Sequence, residues 1–501
     1  VRVYADWEPK PVRLADRGGE WEKPVAFDVA GLTSPVAVVV HRNRPQGVRL
    51  ECIRLKEGKS LGSIDLPEDF DACALSPKGT RLLTVHRVIG VADHRVEVWD
   101  LTGEKPVRMN AWHPMVDDRL FANRNIGSVA WLDEDRFFVI GGSGGIVQWQ
   151  VEGRKANYIL KDGPLAGFAL TPGRNFLVSV GLGSSKSLFS TANGDSMFAV
   201  PRELEKGDIL FSNDGQFLSS FYRGRLMIWN IPQAKLVHDV CFPFVGFEAP
   251  ARWLDGQFLL LKNSNLLDPS RRAIVWSYGA GLMSTWVGPW QWSLVETANR
   301  LTIVPVKLPH AAARTAAQAI DADLQLALRP GTPVSVDMTN VTNHEEVGLW
   351  KNVIEASGLR IAPDQRIRFV VKERVFGARE AGYHVGREGE FRMPFDRKDV
   401  THKVQVTGER LLEVGVEIDG IEVWSWFSHI QAPWVLQHGI LAGSLEADIN
   451  RQIRDGKYDA PVIPLNLVDP AKLRPRRGSK ITAVGLEDVD MTEGARRGGR
   501  R

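Results

Sequence analysis

From residue 1 to about residue 309, short apolar runs alternate with polar turns, and the alternation itself repeats. The most regular copy is Ser212–Ile231. Asn213-Asp214-Gly215 has turn chemistry: short polar side chains that bond their own backbone, then a glycine that accepts positive φ. Gln216–Tyr222 is rich in aromatic and apolar residues and predicts a buried strand, and Arg225–Ile231 alternates apolar with polar positions after a tight connection at Gly224. Two strands cannot bury a face alone, so this unit needs copies. Phe137, Phe176, Phe217 and Phe258 each follow a turn-like stretch, at spacings of 39, 41 and 41 residues, and Ser76-Pro77-Lys78-Gly79 followed by Leu82 is an earlier copy. Trp99, Trp149, Phe189, Trp229 and Trp276 form a second series, spaced by 50, 40, 40 and 47. The two long spacings are read as insertions, Arg87–Arg95 and Lys262–Arg272, lengthening the connection between the two inner strands.

A period near 40 with four short strands per unit predicts a mainly β protein, a β-propeller. Residues 69–290 supply five clear units, and Val36–His41 with Arg49–Leu55 supply an earlier one. Trp290–Val295 and Leu301–Val306 lack partners, which the apolar runs inside Val1–Ala15 complete, closing the ring. Seven blades are expected, with six or eight as alternatives. Val96-Glu97-Val98-Trp99-Asp100 resembles the strand ending in Trp-Asp of WD40 repeats; Ile228-Trp229-Asn230, Val147-Gln148-Trp149-Gln150 and Val275-Trp276-Ser277 are weaker versions. The Gly-His dipeptide of that family is absent, so its His–Asp hydrogen-bond network is expected to be missing. The resemblance covers residues 1–309 and is to divergent WD40-like propellers, found widely in bacteria. It implies a fold, and a face of loops that meets partners.

At His310 the texture changes. Ala311–Leu328 predicts a helix ending before Arg329-Pro330-Gly331, and Asn343–Ser357 a second helix with Asn343 as its N-cap. Val334–Met338 and Arg366–Val371 read as strands, and residues 381–427 as a meander with Asp419-Gly420 at a hairpin turn. Leu441–Asp455 is a final helix. Residues 310–475 are therefore expected to form a smaller α+β domain, and residues 476–501, rich in Arg and Gly, a disordered tail.

Charge and composition narrow the function classes. The net charge is +3, but the chain from Arg474 onward carries eight basic against four acidic residues, leaving the folded body slightly acidic. The pI near 8.7 is therefore no argument for a nucleic-acid-binding fold, and a nucleic-acid partner is expected, if at all, only through the tail. The three cysteines, Cys52, Cys73 and Cys241, lie in apolar runs without metal spacing and read as small buried hydrophobes. No apolar run reaches the length of a membrane span. The chain starts at Val1 rather than Met, which is expected to mark a shortened N-terminus; the compartment stays open.

Candidate chemistry is sparse. Gly141-Gly142-Ser143-Gly144-Gly145 lies between strands and has no following Lys-Ser/Thr, so a hairpin is expected rather than a phosphate loop. His344-Glu345-Glu346 lacks the second histidine of a zinc protease. Trp424 and Trp426, at strand spacing, share one face and read as core. No nucleophile elbow occurs, and no catalytic residue, cofactor or metal ligand is assigned. The connection Trp112–Asn125 is the longest between blades and holds aromatic and arginine residues, types that dominate interfaces. Trp112, His113, Arg119 and Arg124, with Arg223 and Arg225 of an inner hairpin, are the candidate partner-binding residues. The expected function is a non-catalytic scaffold for a protein or peptide. The alternative is a propeller hydrolase or carbohydrate binder with its site at the central channel or the domain seam.

Overall fold

A computed structural model of the chain describes residues 8–14, 22–43, 47–87, 94–114, 126–141, 145–160, 165–181, 187–199, 208–222, 224–243, 250–262, 264–279, 281–298, 300–341, 344–385, 391–392, 402–433, 435–436, 444–458, 463–473 and 477–490. They form two compact units: residues 1–239, 248–323 and 473–501 make the first, and residues 240–247 and 324–472 the second.

The first unit is a seven-bladed β-propeller. Blade one is Lys23–Ala30, Val36–Asn43, Gly47–Arg54 and Lys59–Leu66, and blade two is Phe70–Leu75, Arg81–Arg87, His94–Asp100 and Val107–Trp112. Blade three is Ile126–Trp131, Arg136–Gly141, Ile146–Gln150 and Lys155–Leu160, and blade four is Leu165–Leu170, Phe176–Gly181, Ser187–Ser190 and Ser196–Ala199. Blade five is Asp208–Phe211, Phe217–Tyr222, Arg225–Asn230 and Lys235–Cys241, and blade six is Pro250–Leu254, Phe258–Leu261, Asn265–Asp268 and Ala273–Tyr278. Blade seven joins Met283–Val287, Trp290–Thr297 and Arg300–Lys307 to the N-terminal strand Val12–Arg13. The first strand of blade one lies against those of blades two and seven, as a closed ring requires.

Closure rests on few backbone pairs, Val12 with Ile303 and Arg13 with Thr302, extended by the Leu14 N–H donating to the Leu301 carbonyl at 2.9 Å. Leu14 carries the apolar part: it is buried with Trp292, Leu294 and Ile303 of blade seven and Val29 and Val39 of blade one. Leu14→Ala is expected to lower stability by about 2–4 kcal/mol, read as a lower urea midpoint with unchanged m-value; an unchanged midpoint would show that the strand does not bear load.

Blade six departs from the sequence reading. Trp276 belongs to its fourth strand, not its third, and the supposed insertion Lys262–Arg272 contains the third strand, Asn265–Asp268. There Leu266 and Leu267, both fully buried, replace the aromatic anchor. The indole is covered from outside by a segment expected to be disordered. Arg477–Thr482 runs parallel to Ala273–Tyr278, pairing Gly478 with Ser277 and Ser479 with Tyr278, and Gly485–Asp490 folds back on it as a sixth strand. Average composition hid this hairpin because two residues, Ile481 and Leu486, suffice: they pair across it and join the core of Trp276 and Tyr278. Residues 491–501 lie outside the described residues.

The expected helix from Ala311 is also shorter. Helix α1 is Ala311–Gln318, and it packs Ala313 and Ala317 onto blade six, within the first unit. It stops where Asp321 accepts from the Asp323 N–H at 3.0 Å, an aspartate turn competing with the helix ladder. The boundary between units therefore falls after Asp323 rather than at 310.

In the second unit, Pro333–Asn340, helix α2 (His344–Ala356) and the parallel strand Ile367–Val375 make a crossover unit. Arg410–Ile418 and Ile421–Ile430 extend this sheet antiparallel, and the short strand Arg360–Ile361 lies at its other edge. Trp350 and Ile354 of α2 meet Phe369, Val414 and Trp424 in the core, with Trp426 packed on it. The expected single meander is instead divided between two sheets. Arg379–Val385 pairs with His402–Val406 and Phe391–Arg392 in a separate four-stranded sheet, packed by α3 (Leu445–Asp455) through Ile449 and Ile453. The Ser444 hydroxyl caps α3 by accepting from the Ala447 N–H at 3.2 Å. Asn343 lies outside the described residues.

Candidate partner-binding face

Strands alternate in direction, so each end of the ring collects two classes of connection. At one end lie the turns between first and second strands and between third and fourth strands, none longer than six residues. At the other lie the second-to-third-strand connections and the links between blades, including residues 113–125.

Several short turns bond the neighbouring blade. Glu134 of blade three accepts from the Ser76 hydroxyl and the Lys78 N–H of blade two, both at 2.6 Å, and also from Thr80. The Gly31 N–H donates to the Pro77 carbonyl. Gly31 has φ +90, and a side chain there would meet the Ser34 and Lys78 carbonyl oxygens at 2.6 and 2.8 Å, so only glycine fits. Arg174 donates to the Trp131 carbonyl at 2.7 Å, Asn213 to the Trp253 carbonyl at 3.1 Å, and Arg252 lies 4.9 Å over the Trp286 ring. Asp28 ties blade one to both neighbours: it accepts from the Leu75 N–H at 2.8 Å and the Thr285 hydroxyl at 3.1 Å. Burial pushes its carboxyl above the usual range, and those donors together with the Val29 N–H oppose the shift.

The opposite end carries a repeated constellation in blades one and two. His41 and Arg49 are cross-strand partners, as are His86 and Arg95; two residues further along each ladder, Val39 faces Glu51 and Thr84 faces Glu97. All four His and Glu side chains are buried. Arg49 grips Glu22 through two hydrogen bonds of 2.8 and 3.1 Å, while Arg95 and Arg108 converge on Glu97 at 3.2 and 3.4 Å. In blade two the network reaches the tryptophan. The Trp99 indole donates to the Thr84 hydroxyl at 3.3 Å, Thr84 lies 3.0 Å from His86 Nε2, and His86 Nδ1 lies 3.2 Å from Asp69. Asp69 can only accept, so Nδ1 carries the hydrogen and Nε2 accepts from Thr84. Burial holds the His86 pKa below its usual value against the pull of Glu97 and Asp69, which fits that neutral ring. Blade two thus holds a His–Asp network of another kind, with its histidine on the second strand; the one expected to be missing is tied to a Gly-His pair. The sequence signal was there: His41-Arg42 followed by Arg49-Leu50-Glu51, then His86-Arg87 followed by Arg95-Val96-Glu97.

The candidate residues separate. Trp112 is not a loop residue: it ends the fourth strand of blade two and packs against Phe137 and Trp149 of blade three, ring centroids 5.8 and 5.7 Å away. Its place in the chain, at the last alternating position before the connection, explains why it read as loop. His113 follows it and is exposed. Arg225 starts the third strand of blade five at this same end, three blades away, and forks onto Asp239 at 2.8 and 2.7 Å. Arg119, Arg124 and Arg223 lie outside the described residues.

No protein family matches the chain, and no curated protein matches it. Among the described residues no helix is long and apolar enough to cross a membrane, and no group of three or more His, Cys, Asp or Glu is placed to hold a metal ion.

Proposed function

We propose that the chain is a divergent, WD40-like, non-catalytic scaffold, and that it binds a protein or peptide at the end of the ring bearing residues 113–125. One observation carries this reading. The turns within the blades at one end of the ring are at most six residues long and several of them bond the neighbouring blade, while the links from blade to blade, residues 113–125 among them, start and finish on strand ends at the other. Loops raised on a rigid scaffold are where binding residues concentrate, and propellers commonly serve as interaction scaffolds. His113 marks the contact surface next to the long connection, and Arg225 marks the same end on blade five; Trp112 supports that surface from beneath.

The test is quantitative affinity capture with the wild-type chain and with His113→Ala plus Arg225→Ala. Losing the Arg225–Asp239 pair, which is half exposed, costs the fold at most about 1 kcal/mol, so a change in capture reports on binding. The reading predicts a specific partner whose recovery falls about tenfold or more, the effect of one or two interface anchors. Equal recovery by the variant would remove these residues from the site.

A further inference from the structure

We propose that blade six and α1 form a binding site for a small oxyanion, a phosphate, sulfate or carboxylate group. A pocket of about 90 Å³ is lined by Gln257, Phe258, Asp268, Arg271, Arg314 and Gln318, with Ala317 at its wall. One water needs roughly 10–15 Å³ of such space, so the pocket admits several waters or one such group.

The sequence explains why two guanidinium groups meet here. Ala313 and Ala317, one helical turn apart, let α1 approach blade six closely. The neighbouring positions, Arg314 and Gln318, are also one turn apart, so they flank that contact together. Arg271 comes from the turn after the third strand of the blade, and Gln257 from the turn between its first and second strands.

The one carboxylate in this lining is already engaged. Asp268, fully buried, accepts from the Arg271 N–H at 3.1 Å and from Gln257 Nε2 at 3.3 Å. Among the described residues, each guanidinium has one hydrogen-bonding or ionic partner: Arg271 Nη1 donates to the Ile320 carbonyl at 2.6 Å, and Arg314 Nη2 pairs with Asp255. Arg314 also lies over the Phe258 ring, 6.0 Å from its centroid. Pinned on one side and planar, each guanidinium has N–H donors left for the pocket, and the Gln318 amide adds another. Asp255 and Asp268 nearly balance the two positive charges. Such a site therefore recognises an anion through directed N–H donors rather than by net charge, the geometry that oxyanions accept.

The experiment titrates the full chain with sodium phosphate, sodium sulfate and sodium acetate by calorimetry, with sodium chloride at matched ionic strength as control. Arg314→Gln and Arg271→Gln are titrated in parallel, each checked for native circular dichroism. The proposal predicts saturable binding of at least one oxyanion, absent for chloride, and weakened on the order of tenfold or more in either variant, the effect of losing a charge-assisted hydrogen bond. Tighter phosphate or sulfate would point to a phosphorylated or sulfated ligand, and tighter acetate to a carboxylate. If one variant fails to fold, the other decides. No saturable binding to the wild-type chain, or equal binding by a folded variant, would overturn it.

Discussion

Trp276→Ala is expected to lower the stability of the propeller by about 3–5 kcal/mol, the range for removing a fully buried large aromatic, and to release the C-terminal hairpin. Trp276 is among the largest fully buried side chains of the chain. Its indole donates to the Ser479 hydroxyl at 2.9 Å, and Ser479 in turn donates to Asp488 at 2.7 Å, so one side chain links blade six to both hairpin strands. His310 reinforces the same point, ringed by Trp276 at 4.9 Å and by the Tyr278 hydroxyl at 3.0 Å from Nδ1, with Nε2 3.3 Å from Asp488. The backbone pairing of the hairpin to the blade is short, so it depends on these side chains. Limited proteolysis should therefore cut between residues 473 and 490 in the variant at concentrations that leave the wild type intact. A variant with the same urea midpoint and cleavage pattern would show that the hairpin is held by something else.

Glu409→Ala should destabilise the second unit by about 2–4 kcal/mol, because it strips partners from a buried charge-assisted site. Glu409 is 4% exposed and accepts from Arg379 at 2.6 and 2.8 Å and from the Ala432 N–H at 2.8 Å. Burial alone would raise its pKa, but the Arg379 and Ala432 donors hold it below the usual carboxylate value. Asp469 shows the same balance, with Arg366 forked onto it at 2.8 and 3.0 Å. Both carboxylates titrate lower in the folded chain than in the unfolded one, so the unfolded state binds more protons as the pH falls. Their contribution is complete above the ordinary carboxylate range, about pH 4, and is lost as the pH falls through the depressed folded values. Acid unfolding of the second unit should accordingly begin at higher pH in Glu409→Ala than in the wild type. Coincident acid transitions would contradict the assignment.

The ring was legible in the sequence because its signal is repeated. Turn residues, an apolar strand and a bulky anchor recur near every 40 residues, and each copy confirms the others. Closure by the N-terminal strand followed from the need to pair orphan strands. What misled was local: Trp276 matched the anchor pattern but occupies a fourth strand, because the hairpin that covers it comes from two hundred residues later in the chain. The second unit was harder, since its strands alternate apolar and polar in the same way whichever sheet they join. The buried His and Glu pairs of blades one and two were overlooked because their residues are neighbours only across a ladder, not along the chain. Trp112 shows the converse, an aromatic beside a long connection whose ring turns inward to the blade interface.

The most direct test of the proposed binding face uses one strand. Val107–Trp112 has Lys105 just before it and His113 just after it, both exposed and at opposite ends of the ring. A photo-crosslinking amino acid placed at either position, in separate chains, should capture the partner from position 113 and not from position 105. Capture from position 105 alone, or equally from both, would contradict the account.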